Sequence, residues 1–131
     1  MSIIIAALLL AAGNQCAGST TRDVEQCLAA DLDRADAELN RYYAAATKRL
    51  SQQRDTAALA KLRTAERAWI VYRDAECDAV YESWGQGTIR GAMNLGCRIT
   101  LTEARTATIW RNWLTYADST LPILPKPRAS D

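Results

Sequence analysis

The fold of this chain is decided by the stretch Leu62-Arg63-Thr64-Ala65-Glu66-Arg67-Ala68-Trp69-Ile70-Val71-Tyr72-Arg73-Asp74-Ala75-Glu76-Cys77. Its side chains suited to a covered face recur at spacings of three and four residues, as on a helix that packs along one side. These positions are Leu62, Ala65, Trp69, Tyr72 or Arg73, and Glu76 or Cys77. The pattern predicts a central helix covered by partner helices, and nothing in it has the make-up of a reaction centre.

Composition narrows the class of protein. The chain has 131 residues, of which 49% are hydrophobic, and this suits one globular domain. Sixteen Lys and Arg against fifteen Asp and Glu give a net charge of +1, so no overall electrostatic field favours binding to nucleic acid or an anionic membrane. Histidine, the commonest general base and metal ligand, is absent from the sequence. We therefore expect no enzymatic activity, no catalytic residue, no metal and no cofactor.

The N-terminus has the features of an export signal. Residues 3–12 form an apolar run that ends in the small residues Ala11-Ala12-Gly13, which predicts a signal peptide over residues 1–13. The run is too short for a stable membrane anchor. Cys16 follows Gln15 rather than the small residue that precedes a lipidated cysteine. The sequence therefore predicts a free periplasmic or secreted protein.

Four cysteines, Cys16, Cys27, Cys77 and Cys97, follow the predicted signal peptide. In an oxidising compartment their default state is two disulfides. A metal site is the alternative, but the cysteine spacings do not match zinc-binding patterns.

The chain pattern predicts an all-α fold, a three-helix antiparallel bundle over residues 14–116. The helices are expected at about residues 22–50, 56–84 and 88–116, joined by the polar segment 51–55 and by Gly85-Gln86-Gly87. The segment 18–21 is expected to cap the first helix. The apolar residues of the first helix recur at close to heptad spacing and form the seam expected to face the other helices. They are Leu28, Leu32, Ala35, Leu39, Tyr42 or Tyr43, Ala46 and Leu50.

The C-terminal segment, residues 117–131, contains three prolines and is predicted to be an extended tail. We expect it to lie across the bundle through Leu121, Ile123 and Leu124. Trp110 and Trp113 fit either the core or a dimer face, and the oligomeric state stays open.

Helix geometry also predicts how the cysteines pair. Cys77 lies about two turns before the glycine loop and Cys97 two to three turns after it, so an antiparallel hairpin places them face to face. We therefore expect a Cys77–Cys97 disulfide. Cys16 and Cys27 pair by elimination, although Cys27 lies at the same end of the bundle and leaves an exchanged pairing open.

Charge is polarised along the predicted bundle. Around the disulfides and the glycine loop, acidic side chains exceed basic ones, and the opposite end has the reverse excess. Glu76, Asp78 and Glu82 lie in the last turns of the second helix, where they oppose the helix dipole. Two explanations remain: cross-helix pairing with Arg22, Arg90 or Arg98, or an acidic face that attracts a basic protein.

A set of spaced residues around the opening stretch carries a family resemblance. The set consists of Asp36, Leu39, Asn40, Tyr43, Arg67, Trp69, Tyr72, Arg73, Leu101, Thr102 and Arg105, together with Cys77 and Cys97. With these residues the chain resembles the lysozyme inhibitor LprI-like N-terminal domain family over about residues 16–109. The resemblance implies a small, exported, helical and disulfide-bonded protein that inhibits lysozyme.

These motif positions fit a structural role better than a contact surface. The arginines Arg67, Arg73 and Arg105 suit ion pairs with acidic residues of the first helix such as Asp36.

The motif aromatics Tyr43, Trp69 and Tyr72 are expected in the core or at its edge. Asn40 suits a hydrogen bond across the helix interface, and Thr102 suits a hydroxyl on a helix surface.

The candidates for partner contact lie at the glycine loop instead. They are Trp84, Gln86, Thr88 and Arg90, with the acidic Asp78 and Glu82 beside them. An exposed tryptophan can anchor an interface, and the alternative is a plain turn with Trp84 folded onto the bundle.

The main functional hypothesis is an inhibitor that docks its acidic, loop-bearing end onto lysozyme or another glycan-hydrolysing enzyme. An immunity protein against a wall-degrading toxin is a related option. A second class of function is an envelope adaptor that binds an endogenous protein partner. In that case the motif residues or the tail would contribute more to binding than the glycine loop. Glycosidase activity from Glu76 and Asp78 is the remaining alternative, and no cleft signal supports it.

Overall fold

The computed structural model describes residues 16–18 and 20–128, and they form an all-α protein. Helix α1 spans Thr21–Gln52, α2 spans Thr56–Ser83 and α3 spans Arg90–Ile109, with a π-helical turn at Trp110–Leu114. No strand occurs in the described ranges. The predicted three-helix fold is confirmed, and the predicted signal peptide lies outside the described residues.

Local sequence sets where the helices begin and turn. Thr20 caps α1, because its hydroxyl accepts a hydrogen bond from the Asp23 backbone N–H at 3.1 Å. Asp55 caps α2 in the same way through the N–H of Ala58 at 3.0 Å. Gly85, with φ of +54°, follows the C-cap residue Trp84 of α2, at a position where glycine avoids the strain of a left-handed backbone.

The predicted seam of α1 forms the core. Its buried members are Ala35, Leu39, Tyr42, Ala46 and Leu50. Most of them pack with buried side chains from the other elements, namely Leu62, Ile109 and Leu114. The near-heptad pattern therefore predicted the inward face of α1 correctly.

The central helix is α3, so the prediction that α2 is central is wrong. Helix α3 packs extensively against both other helices, whereas α1 and α2 pack against each other only sparsely. The only buried residues of α2 within its described range are Leu62, Glu66 and Cys77. Two expected members of its covered face, Ala65 and Tyr72, are exposed, with Tyr72 at 53%. Arg73 takes the inward position instead.

Both predicted disulfides are confirmed. Cys77–Cys97 joins α2 to α3, and Cys16–Cys27 joins the N-terminal segment to α1. Each is expected to contribute about 2–4 kcal/mol to the free energy of unfolding. In a domain of this size that is a large share of the total.

The third helix ends earlier than predicted, at a π-helical turn rather than near Tyr116. The side chain of Arg49 on α1 donates to the backbone carbonyls of Trp113 at 2.6 Å and Thr115 at 2.9 Å. Its guanidinium also lies 4.3 Å from the ring centroid of Tyr116. Arg49 thereby satisfies carbonyls that the end of the helix leaves without intrahelical partners.

The tail is held by side-chain donors from the bundle. The indole N–H of Trp110 donates to the carbonyl of Leu124 at 2.9 Å, and the hydroxyl of Tyr42 donates to the carbonyl of Pro125 at 2.6 Å. Burial raises the pKa of Tyr42 above its ordinary value. The phenol therefore stays protonated and able to donate to higher pH.

The predicted tail contacts are only partly correct. Leu124 packs against the core and Pro127 is buried, but Leu121 is 84% exposed and Ile123 is exposed as well. The hydrogen bonds at Leu124 and Pro125 fix the register and turn Leu121 and Ile123 outward. Trp110 and Trp113 are half-buried and pack at the edge of the core, against the buried cluster that includes Tyr42, Ile109 and Leu114.

Candidate functional site

An open groove of about 320 Å³ lies between α1 and α2, where these helices pack sparsely. It is lined by Asp36, Leu39, Asn40, Tyr43, Glu66, Trp69, Ile70 and Arg73, and we call it the motif groove. Six of these residues belong to the sequence motif, all except Glu66 and Ile70. The fold therefore gathers six of the thirteen motif residues around one surface depression.

Arg73 is the central polar residue of the motif groove. Its guanidinium donates to the carboxylate of Asp36 at 2.8 Å and to the hydroxyl of Thr102 at 3.2 Å, which links all three helices. It also donates to Asp74 at 3.2 Å and lies 5.2 Å from the ring centroid of Trp69. The predicted Arg73–Asp36 pair is confirmed. The expectation of a surface hydroxyl at Thr102 is wrong, because Thr102 is buried in contact with Arg73.

A second ion pair lies behind the groove. The Nε–H of Arg105 donates to Glu66 at 2.9 Å, and both side chains are largely buried. The predicted partner of Arg105 on helix 1 is therefore wrong: Arg105 pairs with α2. Glu66 was missed in the sequence, although it lies four residues after Leu62 and three before Trp69, on the inward stripe. The Nη2 of Arg105 is buried without a hydrogen-bond partner among the described residues.

Three other motif predictions need correction. Arg67 is exposed, and its guanidinium donates at 3.4 Å to the hydroxyl of Thr64 on its own helix. Tyr72 points to solvent because Arg73 occupies the inward position. Asn40 is exposed on the rim of the groove, and no hydrogen bond joins it to another helix within residues 20–128.

Tyr43 and Trp69 match the prediction of core-edge aromatics. Both are half-buried, and both pack against the core while lining the groove. Leu101, the remaining motif residue, is half-buried on α3. The groove thus presents two aromatic side chains held in place by the core beneath them.

The second candidate region is the connection between α2 and α3, with the last turns of α2. We call it the loop end, comprising Asp78, Glu82, Trp84, Gln86, Thr88, Ile89, Arg90 and Met93. Trp84 is 43% exposed, and Gln86 and Thr88 are exposed as well. The indole lies beside Gly87, where an added Cβ would be 3.9 Å from Cε3 of the Trp84 ring. Trp84 therefore rests partly on its own turn and presents the rest of its ring to solvent.

Arg90 stabilises the loop from its C-terminal side. Its guanidinium donates to the carbonyl of Gly85 at 3.0 Å and lies 4.6 Å from the ring centroid of Tyr81. Arg90 was predicted as a partner contact, and in this structure its Nη1 donates within the loop while its guanidinium lies over Tyr81. The loop conformation is therefore fixed by a side chain as well as by the nearby disulfide.

Two further apolar residues at the loop end were missed in the sequence. Ile89 and Met93 are exposed beside the start of α3. Their spacing of four residues places them on the same side of the helix, which was the available signal. With Trp84 they give the loop end three exposed apolar side chains.

The acidic residues of the loop end, together with Asp74 and Glu76 just before it on α2, divide into paired and unpaired ones. Arg98 donates to Asp74 at 2.6 Å and to Asp78 at 3.2 Å, although Asp78 remains 69% exposed. Glu76 and Glu82 form no ion pair within the described part of the chain. Cross-helix pairing therefore accounts for Asp78 and leaves Glu76 and Glu82 as free acidic groups.

One group of potential metal ligands occurs near the N-terminus, formed by Cys16, Cys27 and Asp31. The two sulfur atoms are joined in a disulfide, and a cysteine coordinates metal as a thiolate. The oxidised protein therefore offers no thiolate ligand at this position. No helix within residues 20–128 is long and apolar enough to cross a membrane.

The family model described as lysozyme inhibitor LprI matches residues 12–109. The chain belongs to the lysozyme inhibitor LprI family. An uncharacterized protein of Rhizobium meliloti (strain 1021) is 39% identical over 95 residues, which cover 65% of this chain and 68% of that relative. No solved structure shows significant similarity to the chain.

Membership in the LprI family identifies a lysozyme-inhibitor-like protein at the level of the family. The matched region contains both the motif groove and the loop end, and it ends before the π-helical turn and the tail. The family match therefore does not indicate which of the two regions contacts a partner. That assignment depends on the side chains that each region exposes.

Proposed function

We propose that this protein is an exported inhibitor that binds and blocks a peptidoglycan-degrading enzyme of the lysozyme type through its loop end. The proposal includes the predicted signal peptide over residues 1–13 and a mature helical domain over residues 14–116. No catalytic residue is needed, because the protein acts by occupying the enzyme's surface.

The observation that carries the proposal is the set of exposed apolar side chains at the loop end. Trp84, Ile89 and Met93 lie beside a turn held by Arg90 and near the Cys77–Cys97 disulfide. Aromatic residues and methionine are enriched in protein interfaces, and a tryptophan on a rigid support is a frequent energetic anchor. A rigid loop also loses little conformational entropy when it binds.

Charge defines the kind of enzyme that fits. Glu76 and Glu82 are acidic groups without an ion-pair partner in residues 20–128, and Asp78 is largely exposed. Acidic groups at the rim of an interface speed association with a basic partner and favour it over an acidic one. The loop end therefore suits a basic wall-degrading enzyme.

The test is a cell-wall lysis assay with a c-type lysozyme and the oxidised protein at two salt concentrations. We expect inhibition that weakens as salt rises, because exposed charges are screened. Glu82→Gln should weaken inhibition at low salt. Gln52→Lys, which raises the net charge by the same amount at the opposite end, is the matched control and should not. Equal effects of the two variants, or inhibition independent of salt, would contradict docking through the loop end.

A further inference from the structure

We propose that the motif groove is a binding site for a short, uncharged glycan. This inference goes beyond inhibition, since it uses a different surface and needs no enzyme partner. It rests on which groups the groove presents, on its charge balance and on its size.

The groove presents side chains rather than backbone groups. Its walls are the helices α1 and α2, whose backbone N–H and C=O groups are engaged in intrahelical hydrogen bonds. An extended peptide would therefore find no backbone partners along these walls. The exposed amide of Asn40 offers both donors and an acceptor, and Asp36 offers carboxylate oxygens. A ligand with many hydroxyl groups can use donors and acceptors of this kind.

The charges of the groove are balanced, which disfavours a charged ligand. Asp36 is paired with Arg73 at 2.8 Å, and Glu66 is paired with Arg105 at 2.9 Å. An anion would compete with a carboxylate for its arginine, and a cation would compete with an arginine for its carboxylate. A neutral polar ligand leaves both ion pairs intact and can use the remaining acceptor positions of the carboxylates.

The aromatic residues provide an apolar surface beside these polar groups. Arg73 lies over the ring of Trp69, so we assign stacking of the sugar to Tyr43, which is half-buried in the groove wall. The ring of Tyr43 is held by the core and needs little ordering when a ligand binds. A pyranose ring has an apolar C–H face and a polar rim, which matches an aromatic ring in a groove that is also lined by Asn40, Asp36 and Glu66.

The size and rigidity of the groove also fit a small ligand. Its volume of about 320 Å³ lies at the lower end of the range for ligand sites. Arg73 bridges the side chains of Asp36 and Thr102, which fixes the position of the polar wall before a ligand arrives. These features favour a short glycan over a protein segment.

The experiment is a titration of the oxidised, isotope-labelled protein with chitotriose, an uncharged N-acetylglucosamine trimer, followed by NMR chemical shifts. We expect saturable shifts centred on the backbone amides of Asn40, Tyr43 and Trp69 at millimolar ligand. Asn40→Ala and Tyr43→Leu should each weaken the affinity about tenfold or more. Asn112→Ala replaces an exposed asparagine that does not line the groove, and it is the matched control.

Asn40 is exposed, so its variant is expected to fold like the wild type, and a thermal unfolding curve checks this. The absence of saturable shifts would overturn the proposal, as would equal affinity for the wild type and Asn40→Ala. Shifts in the groove caused by lysozyme but not by chitotriose would also overturn it and indicate a protein contact instead. Since no enzyme is present in the glycan titration, its failure leaves inhibition through the loop end untouched.

Discussion

The motif groove and the loop end differ in whether their acidic groups are paired and in how far their apolar side chains are exposed. In the groove, both carboxylates have arginine partners, and the aromatic side chains are half-buried against the core. At the loop end, Glu82 is unpaired within the described residues and 43% of Trp84 is exposed to solvent. The groove is therefore built from interactions within the molecule, whereas the loop end leaves groups available to another protein. The residues that carry the family motif and those suited to partner contact are different sets.

The largest expected effect comes from breaking the ion pair behind the groove. Arg105→Met leaves the buried carboxylate of Glu66 without its partner, so we expect a loss of about 3–5 kcal/mol in the free energy of unfolding. Urea unfolding followed by circular dichroism measures this loss. The double variant Glu66→Leu with Arg105→Met should recover most of it, because no unpaired charge remains. A single variant as stable as the wild type would show that the pair does not hold the groove together.

The disulfide near the loop end has the next largest effect. Replacing Cys77 and Cys97 by Ala should lower the free energy of unfolding by about 2–4 kcal/mol, because the unfolded chain gains freedom. The Cys16–Cys27 disulfide closes a shorter loop, with a sequence separation of 11 rather than 20 residues. Replacing these two cysteines by Ala should therefore lower the free energy of unfolding by less. Denaturant unfolding of both variants without reductant checks the order. The reverse order would point to strain or packing rather than chain entropy.

A substitution at Trp84 tests whether the loop end, rather than the motif groove, contacts the target enzyme. Trp84→Ala should weaken inhibition of the target enzyme by about 2 kcal/mol, the size expected of an interface anchor. Its effect on stability should be smaller than about 1 kcal/mol, since the side chain is exposed. Val71→Ala removes a side chain that is 69% exposed on α2, away from the loop, and serves as the control. If both variants inhibit equally well, the loop end is not the contact surface.

The smallest effect concerns the tail. Tyr42→Phe removes the hydrogen bond to the Pro125 carbonyl and should cost about 1 kcal/mol at neutral pH. The pKa of Tyr42 is raised by burial, with Arg41 opposing the shift and Glu38 adding to it. The stabilisation is therefore complete below the unfolded pKa near 10 and is lost as pH rises through the higher folded pKa. Thermal unfolding of wild type and variant should converge at strongly alkaline pH, and a constant difference would contradict this assignment.

Short-range patterns predicted much of the fold. Helical spacing predicted the seam of α1 and the Cys77–Cys97 pairing, while local residue chemistry predicted a cap within residues 18–21 and the glycine turn. The structure confirms each of these features. These features depend on residues close in sequence or on the geometry of a single hairpin. Long-range packing was the part that helical spacing left open.

The central position of α3 and the groove depend on how three helices are arranged around one another. Spacing allowed either Tyr72 or Arg73 on the inward face, and the carboxylate of Asp36 and the hydroxyl of Thr102 decide in favour of Arg73. Glu66 looked like an ordinary surface acid because its partner, Arg105, lies 39 residues away. The motif could thus be recognised in the sequence, but its gathering around a groove could not.

The attachment of the tail has a consequence for how freely its sequence can change. At Trp113, Thr115, Leu124 and Pro125, the groups that receive hydrogen bonds are backbone carbonyls, which every amino acid supplies. The specific side chains, Arg49, Trp110 and Tyr42, all belong to the bundle. The exposed positions between these carbonyls are therefore tolerant sites for a fluorescent label or a short epitope, which would report on the bundle without loosening it.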